Sequence, residues 1–122
     1  MSGLEDQIEV LIKKSFPFLS YKKQQYIFYR NQKLFFDFII PDLNVYIEVQ
    51  GQQHYKRISF FHKFGKDFRS QKFRDQIKTE WCGVNDIILV SIKYSEINKD
   101  LTEESFRNKI LKRVREFNDD RP

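Results

Sequence analysis

The sequence predicts a single-domain α/β protein, in which a mixed β-sheet is flanked by helices. Its 122 residues are 40% hydrophobic and 32% charged, a balance typical of globular chains and not of disordered ones. A chain of this length supports one hydrophobic core but not two. Apolar residues recur at helical spacing in three segments and in strand-like runs in four others, in the order α-β-β-β-α-β-α. We therefore assign residues 1–117 to one domain and residues 118–122 to a frayed tail.

The first half of the sequence predicts one helix and three strands. Ser2 and Glu5 form a capping-box pattern, and the apolar positions that follow share one helical face until residues 16–17. Apolar runs then predict strands at residues 21–28, 34–40 and 45–50. The segments between them, residues 29–32 and 41–44, carry the Asn, Asp and Pro residues that turns favour. The last two strands are therefore expected to pair across a tight turn.

The second half predicts a loop, a helix, a strand and a final helix. Residues 51 to about 66 are polar, basic and aromatic, as expected of a loop. A helix is expected from about residue 67 to residue 82, with Phe73, Ile77 and Trp81 on its buried face and Gly83 at its end. Residues 87–92 form a short apolar run, which is typical of a central strand. Thr102 is placed to cap the last helix. The apolar face of that helix consists of Phe106, Ile110, Val114 and Phe117.

Basic residues are concentrated in one quarter of the chain. The net charge is +5 and the pI is about 9.3. Residues 51–81 contain eight basic and three acidic side chains, whereas the remaining 91 residues contain 14 of each. A polyanion such as nucleic acid is the partner that this distribution suggests. A solvated loop and helix face is the alternative explanation.

The sequence also bears on the compartment. Cys82 is the only cysteine, which excludes an internal disulfide and a zinc site built on several cysteines. The first residues lack the positive start and apolar core of a signal peptide. No apolar run approaches the ~20 residues of a membrane span. We expect an intracellular, cytoplasmic protein with no membrane segment and no small-molecule cofactor.

Asp37 and Glu48 stand among apolar neighbours in the two strands joined by the tight turn. If Ile40 pairs with Val45 across the turn, Asp37 lies opposite Glu48 on the same face. That face of the earlier strand would carry Phe35, Asp37 and Ile39, and its other face Leu34, Phe36, Phe38 and Ile40. Two ionised carboxylates about 5 Å apart need a proton, an Arg or Lys side chain, or a hard divalent cation between them. Alternatively, they belong to structural ion pairs or face water at a sheet edge.

The two carboxylates belong to a longer pattern. Glu5 lies in the first helix, Asp37 lies in Phe36-Asp37-Phe38, and Glu48 lies in the stretch IEVQGQQHY of residues 47–55. The stretch RDQIK of residues 74–78 follows in the next helix. In this element order the chain resembles, over residues 5–92, the PD-(D/E)XK nucleases, and among them the very-short-patch repair (Vsr-like) and EDxHD homing endonucleases. The resemblance implies their restriction-endonuclease-like fold, an αβββαβ core with a mixed sheet flanked by helices, here followed by a carboxy-terminal helix.

The resemblance implies a divalent-metal-dependent endonuclease that hydrolyses phosphodiester bonds in DNA. Mg²⁺ is the expected ion, with Mn²⁺ as a substitute, because carboxylate oxygens suit hard cations. By family analogy, Asp37 and Glu48 would hold the ion together with the Val49 carbonyl, and Glu5 would act through bound water. The ion would polarise a phosphate oxygen and acidify a bound water. The alternative role of Glu5 is that of the helix cap.

Two positions depart from the family pattern. Phe36 replaces the proline that gives the family its name, which is a mild change. Gln50 replaces the lysine that in the family orients the attacking water and stabilises developing charge, and an amide carries no positive charge. His54, four residues later, is the expected substitute because its pKa suits proton transfer near neutral pH. Lys78 is the second candidate, as a cation that has migrated to the next helix.

The predicted helix and the loop before it complete the expected site. Asp75 is expected to be catalytic by the family match alone; it faces away from the apolar stripe of its helix, so a solvated carboxylate is the alternative. The expected DNA contacts are Lys56, Arg57, Lys63, Lys66, Arg69 and Arg74, which would neutralise phosphates. The loop aromatics Tyr55, Phe60, Phe61 and Phe64 would stack on bases or wedge between them, or alternatively pack the loop onto the domain.

The leading interpretation is therefore a small Mg²⁺-dependent DNA endonuclease of homing, repair or junction- and structure-directed type. A catalytically inactive nucleic-acid-binding module of the same fold is the second interpretation, and a protein-interaction domain is the third. Because the chain has no second domain for reading sequence, a homodimer or a target defined by DNA structure is open at this point. An origin in a phage or a mobile element suits the resemblance.

Overall fold

The helices and strands follow the predicted order, with one short helix added. The computed structural model describes residues 3–50, 66–97 and 101–120, without the side chains of residues 66–72 and of Tyr94. The strands are β1 (Lys22–Tyr29), β2 (Gln32–Ile40), β3 (Val45–Gln50) and β4 (Ile88–Lys93). The helices are α1 (Gly3–Ser15), α2 (Lys66–Val84), α3 (Tyr94–Ile97) and α4 (Glu103–Asp119). The fold is therefore α/β. The α-helix that was not predicted is α3, and the predicted turn between β2 and β3 contains a short 3-10 helix at Pro41–Leu43.

The four strands form one mixed sheet in the order β1-β2-β3-β4. The pairs β1–β2 and β2–β3 are antiparallel, and β3–β4 is parallel. Arg30 and Asn31, with φ angles of 50° and 63°, close the first hairpin, because a two-residue turn with positive φ matches the twist of its strands. The predicted register of the second hairpin is confirmed where Ile40 pairs with Val45.

Helices cover both faces of the sheet. On one face, Ile8 and Ile12 of α1 and Phe106 and Ile110 of α4 are buried against strand residues. On the other face, Ile77 of α2 is buried in a second cluster of apolar side chains. The sheet thus separates two hydrophobic layers. Among the described helices, none is long and apolar enough to cross a membrane.

Thr102 caps α4 as predicted, in a capping box with Ser105. The last helix continues through Asp119, so residues 118 and 119, which were assigned to a frayed tail, are helical. Ser2, the predicted cap of α1, lies outside the described residues.

The carboxy-terminal end of α2 differs from the prediction. Gly83 does not terminate the helix, which continues to Val84. The N–H of Ile87 donates to the carbonyl of Cys82, and the N–H of Asp86 donates to the carbonyl of Gly83. These bonds form a Schellman motif, in which Asp86, with a φ of 55°, takes the left-handed position that glycine usually occupies.

The buried face of α2 is also shorter than predicted. Phe73 is half exposed, whereas Ile77 is buried and Trp81 packs against Phe36 and Tyr46. The contacts that the described side chains of α2 make with the sheet therefore lie in its carboxy-terminal half. Phe73 precedes this contact region, so its apolar spacing does not bury it.

The side chains of β2 change faces at Asp37. Leu34, Phe36 and Ile39 pack on the α2 side, whereas Phe38 and Ile40 pack on the side of α1 and α4. The predicted grouping of all the even-numbered side chains on one face is therefore wrong. A regular strand alternates with a period of two, so the alternation shifts at Asp37. At the corresponding point of β1, between the paired Lys23 and Gln25, Gln24 has a φ of 51°.

Candidate functional site

The two predicted carboxylates lie where β2 and β3 separate. The described pairing of these strands ends at Phe38 and Ile47. At the next position, Oδ2 of Asp37 accepts a hydrogen bond from the N–H of Val49 at 2.7 Å. The aspartate side chain thus replaces a bond of the sheet ladder. The predicted direct facing of Asp37 and Glu48 is not formed, because the ladder does not continue to that pair.

Asp37 is buried, with only 6% of its surface exposed. Burial raises the pKa of its carboxyl to about 6. The hydrogen bond from Val49 opposes this rise, whereas the negative charges of Glu5 and Glu48 and a hydrogen bond with Glu5 increase it. Asp37 therefore binds a proton more tightly than an exposed aspartate, and a proton between Asp37 and Glu5 satisfies both side chains.

Glu48 is paired with a lysine from α2. Nζ of Lys78 donates to Oε1 of Glu48 at 2.7 Å and to the backbone carbonyl of Phe35 at 2.6 Å. Oγ of Ser91, which is the neighbour of Glu48 across the parallel β3–β4 ladder, lies 3.5 Å from Oε2. Lys78 therefore joins α2 to both separated strands, because Phe35 belongs to β2 and Glu48 belongs to β3.

The site carries an excess of negative charge. Three carboxylates, those of Glu5, Asp37 and Glu48, interact with one another through Asp37, and Lys78 contacts one of them. Over the described part of the chain, no group of three or more His, Cys, Asp or Glu side chains converges as a set of metal ligands. In this arrangement the site holds one internal cation on Glu48, and Asp37 keeps a proton up to about pH 6.

The other predicted site residues differ in how close they lie to the carboxylates. Gln50 ends β3, two residues after Glu48, and is partly buried. Arg74 and Asp75 are exposed on α2. Asp75 lies three residues before Lys78, so the two share neighbouring positions on the helix surface.

The remaining predicted residues fall outside what the structure describes. His54, Lys56, Arg57 and Lys63 lie outside the described residues. Lys66 and Arg69 belong to the first turns of α2, but their side chains are not described. The loop aromatics predicted to contact bases likewise lie outside the described residues.

The Phe35 carbonyl and Ser91 are parts of the site that the sequence did not predict. No pattern of side chains in the sequence indicates which backbone carbonyl accepts a hydrogen bond from outside the sheet, so the role of Phe35 could not be predicted. Ser91 is a polar residue that interrupts an otherwise apolar strand, and the parallel pairing of β3 with β4 places it beside Glu48. That interruption was the available signal.

No family model matches the sequence, and no solved structure matches this chain. Three viral proteins share part of it. Uncharacterized protein 307L of Invertebrate iridescent virus 6 is 38% identical over 65 residues, which are 53% of this chain and 33% of that protein. Uncharacterized protein 094L of Frog virus 3 (isolate Goorha) is 40% identical over 70 residues, which are 57% of this chain and 43% of that protein.

The third relative is uncharacterized protein 033L of Invertebrate iridescent virus 3, which is 31% identical over 55 residues. These residues are 45% of this chain and 28% of that protein. The chain thus spans less than half the length of each of these relatives. All three belong to large DNA viruses.

Proposed function

We propose that the chain is a Mg²⁺-dependent DNA endonuclease with a PD-(D/E)XK, restriction-endonuclease-like fold of the Vsr-like branch. The observation that carries the proposal is the position of a buried Asp37 and of Glu48 on two strands that separate at these residues. Lys78 contacts Glu48 at the same point. Carboxylates and a cation in one partly buried site are the groups that metal-assisted phosphodiester hydrolysis uses.

The chemistry of the carboxylates suits a hard cation. Glu5, Asp37 and Glu48 bring three acidic groups near one another against the single charge of Lys78. Magnesium prefers oxygen ligands and would offset this excess of negative charge. In the proposal, Asp37 and Glu48 hold the ion with the Val49 carbonyl, and Glu5 acts through bound water. The ion supplies a Lewis acid for the phosphate and a more acidic bound water.

In the proposal, Lys78 supplies the positive charge that the family's lysine provides and that Gln50 cannot carry. Its Nζ lies 2.7 Å from Oε1 of Glu48, so its positive charge would lie near an ion that Glu48 holds. The charge is available to stabilise the phosphate as negative charge develops there. We favour Lys78 over His54 for this part because the contact of Lys78 with Glu48 is observed. His54 keeps its proposed part in proton transfer, and Asp75 adds a carboxylate to the same surface of α2.

DNA is the partner that the charge supports. The net charge is +5, and the excess lies in residues 51–81, which include α2 and the segment before it. Lysines and arginines there would neutralise phosphates of the backbone. The relatives from large DNA viruses provide a setting in which DNA is available as a substrate. A second copy of the chain or a branched target would add to the specificity of this domain.

The test of this function removes the acids without changing their shape. Asp37→Asn and Glu48→Gln should each abolish cleavage of supercoiled plasmid in millimolar Mg²⁺ or Mn²⁺, because each removes a ligand charge. Binding of the same DNA in EDTA should be retained or tighter, because a negative charge near phosphate is lost. Asp42→Asn is the matched control, since Asp42 is an exposed aspartate in the turn between the same two strands.

The same variants test the ion directly by thermal unfolding. Mg²⁺ should raise the melting temperature of the wild type. At a Mg²⁺ concentration of 100 times Kd, the free energy of unfolding should increase by about 2.7 kcal/mol. Asp37→Asn should lose this response. If the wild type melts identically with Mg²⁺, Mn²⁺ and EDTA, and if both variants cut plasmid normally, the proposed site is wrong.

A catalytically inactive DNA-binding module of the same fold is the second candidate. Two observations favour it. Gln50 stands where the family has its lysine, and Lys78 already contacts the Glu48 carboxylate that an ion would need. Such a module would shift DNA in a gel with EDTA present and would cut no form of DNA with either ion. A protein that neither shifts nor cuts DNA would exclude both candidates.

A further inference from the structure

The outer face of the β1–β2 hairpin carries exposed aromatic side chains. Tyr26 is 55% exposed and Phe28 is 76% exposed. Their neighbours Ile27 and Tyr29, which point to the other face, pack on the α2 side. The hairpin therefore has one buried face and one exposed aromatic face. Neighbouring exposed aromatics on an ordered strand are a candidate binding surface, because covering them removes apolar area from water.

Four side chains form this surface. Tyr26 lies opposite Phe35 across the hairpin, with ring centroids 5.0 Å apart and planes inclined by 49°. Nζ of Lys33 lies 4.0 Å from the centroid of the Tyr26 ring, and Lys33 itself lies opposite Phe28. We call Tyr26, Phe28, Lys33 and Phe35 the hairpin platform. The two strands that carry the platform, β1 and β2, pair with each other as an antiparallel ladder. The aromatic rings are therefore attached to ordered backbone.

Basic side chains predominate in the sequence segment that contains the hairpin platform. Residues 10–36 contain six basic side chains and no acidic one. Lys23 and Arg30 are paired with Glu9 and Glu80, respectively. Lys33 makes no ion pair with any residue that the structure describes, so its charge is available to a ligand. Aromatic rings beside a free cation fit a partner that combines flat π faces with negative charge, as a nucleic acid strand does.

The hairpin platform is directly connected to the carboxylate site. Phe35 precedes Asp37 by two residues, a distance of about 7 Å along a strand. The carbonyl of Phe35 accepts a hydrogen bond from Lys78, which also contacts Glu48. A distance of about 7 Å is the rise of about two nucleotides. The platform faces away from α2, so a strand whose bases rest on it would pass its backbone close to Asp37, which interacts with Glu5 of α1, whereas Lys78 holds Glu48 on the α2 side.

We propose that the hairpin platform stacks on unpaired bases of a DNA strand and directs the proposed nuclease site to single-stranded or locally unpaired DNA. The choice of substrate rests on the proposed function, whereas the binding itself does not. In a duplex, the faces of the bases are covered by their neighbours, so the rings of the platform could reach them only after unstacking. A flap, bubble or free end offers these faces without that cost.

Binding in EDTA tests the platform apart from cleavage. Fluorescence anisotropy would follow a labelled oligo(dT) of about 12 nucleotides and a blunt duplex of the same length. Tyr26→Ala/Phe28→Ala should weaken binding of the single strand about five- to 150-fold for each base that stacks. Binding of the duplex should be unchanged. Phe18→Ala is the matched control, because Phe18 is a 97% exposed aromatic outside the hairpin and should have no effect.

Further variants keep the test independent of folding. Phe28→Ala alone removes a side chain that is mostly in water, so it should melt as the wild type does and still weaken strand binding. Phe28→Trp should retain binding, because it keeps a stacking surface. The proposal is overturned if the double variant binds the strand as tightly as the wild type, or if Phe18→Ala weakens binding equally. It is also overturned if the double variant only converts a dimer to a monomer in sedimentation.

The platform and the nuclease can fail separately. Asp37→Asn should keep full strand binding, because Asp37 is not part of the platform. Loss of strand binding in the platform variants, with no cleavage by the wild type in Mg²⁺ or Mn²⁺, would support the platform and reject the nuclease. Cleavage by the wild type, with undiminished strand binding by the double variant, would support the nuclease and reject the platform.

Discussion

The electrostatic repulsion between the neighbouring carboxylates of Asp37 and Glu48 is reduced in a different way at each residue. Asp37 is buried near Glu5 and has a pKa raised to about 6, so it keeps a proton to a higher pH than an exposed aspartate does. Glu48 is neutralised by Lys78 at 2.7 Å. The sequence predicted that these carboxylates would need a proton, a cationic side chain or a divalent ion. It did not predict which acid uses which, because that depends on where the two strands separate.

The raised pKa of Asp37 makes stability depend on pH. Between about pH 4 and pH 6 the folded chain binds a proton at Asp37 that the unfolded chain has lost, so stability falls as pH rises. The stability from this group is complete below pH 3.8 and is lost as pH rises through about 6. Asp37→Asn cannot ionise, and its amide can still donate to Glu5. The variant should therefore gain stability relative to the wild type, by up to about 3 kcal/mol across this interval.

Urea unfolding in EDTA at several pH values between about 4 and 7 would measure this difference. The advantage of Asp37→Asn should be small at the acidic end and should reach a plateau above about pH 6. Asp42→Asn, in the exposed turn, should differ from the wild type by the same amount at every pH. A constant difference for Asp37→Asn as well would mean that Asp37 ionises like an exposed aspartate.

At the level of elements, the apolar spacing correctly predicted the four strands and the three longer helices in their order, but not α3 or the details that form the site. The even-numbered residues of β2 read as one face, yet Leu34 and Phe38 lie on opposite sides of the sheet. The shift at Asp37 coincides with the positive φ of Gln24 on the neighbouring strand. Hydrophobic pattern does not encode such an irregularity, because each residue on either side of it is still buried.

Lys78 shows why helix placement matters to this site. It directly follows the buried Ile77, so its side chain leaves the helix at the border of the buried face. Its Nζ binds the Phe35 carbonyl and Glu48, which are groups from two strands that no longer pair with each other. The prediction that Lys78 is a migrated cation required its helix to lie over this separation, which the sequence alone does not specify.

The contribution of Lys78 can be measured with a double-mutant cycle. Lys78→Met keeps the length of the side chain but removes its charge, and should cost about 2 kcal/mol of stability because a partly buried carboxylate and a carbonyl lose their donor. Glu48→Gln combined with Lys78→Met should cost less than the two single changes added together. The coupling energy should be about 1–3 kcal/mol.

The exposed pair Lys112–Glu116, whose atoms are 4.0 Å apart, is the matched control for this cycle. The cycle Lys112→Met and Glu116→Gln should give a coupling of no more than about 0.5 kcal/mol, as expected of an i,i+4 pair on a helix surface. Equal couplings in the two cycles would mean that Lys78 and Glu48 interact no more strongly than residues in water.

At the level of the whole molecule, charge is distributed in two basic regions. The sequence analysis identified residues 51–81, with eight basic and three acidic side chains. Residues 10–36 form the second region, with six basic and no acidic side chains. It was not evident when all residues outside 51–81 were counted together, because they contain 14 basic and 14 acidic side chains. In the fold, acidic residues from other elements pair with part of the second region: Glu9 forms a salt bridge with Lys23, and Glu80 forms one with Arg30. The first region is therefore the stronger candidate for general attraction to phosphates.

Salt dependence of duplex binding distinguishes a defined phosphate contact from general charge. Replacing Lys56, Arg57, Lys63 and Lys66 together by Ala should lower affinity for a blunt duplex in EDTA. The slope of log affinity against log salt should become shallower by about 0.9 for each phosphate contact that is lost. The physical reason is that each neutralised phosphate releases condensed counterions, and fewer contacts release fewer of them.

A control variant with the same change of charge makes this prediction decisive. Arg107, Lys112, Arg113 and Arg115 are exposed on α4, outside both basic regions and on the opposite side of the sheet from α2. Replacing these four residues by Ala changes the net charge equally, so any effect of total charge on association is the same in both variants. The control should keep the wild-type slope, since its residues face away from the proposed DNA path. If both variants lose the same amount of slope, DNA is attracted by the charge of the whole molecule, and the segment before α2 is not its binding site.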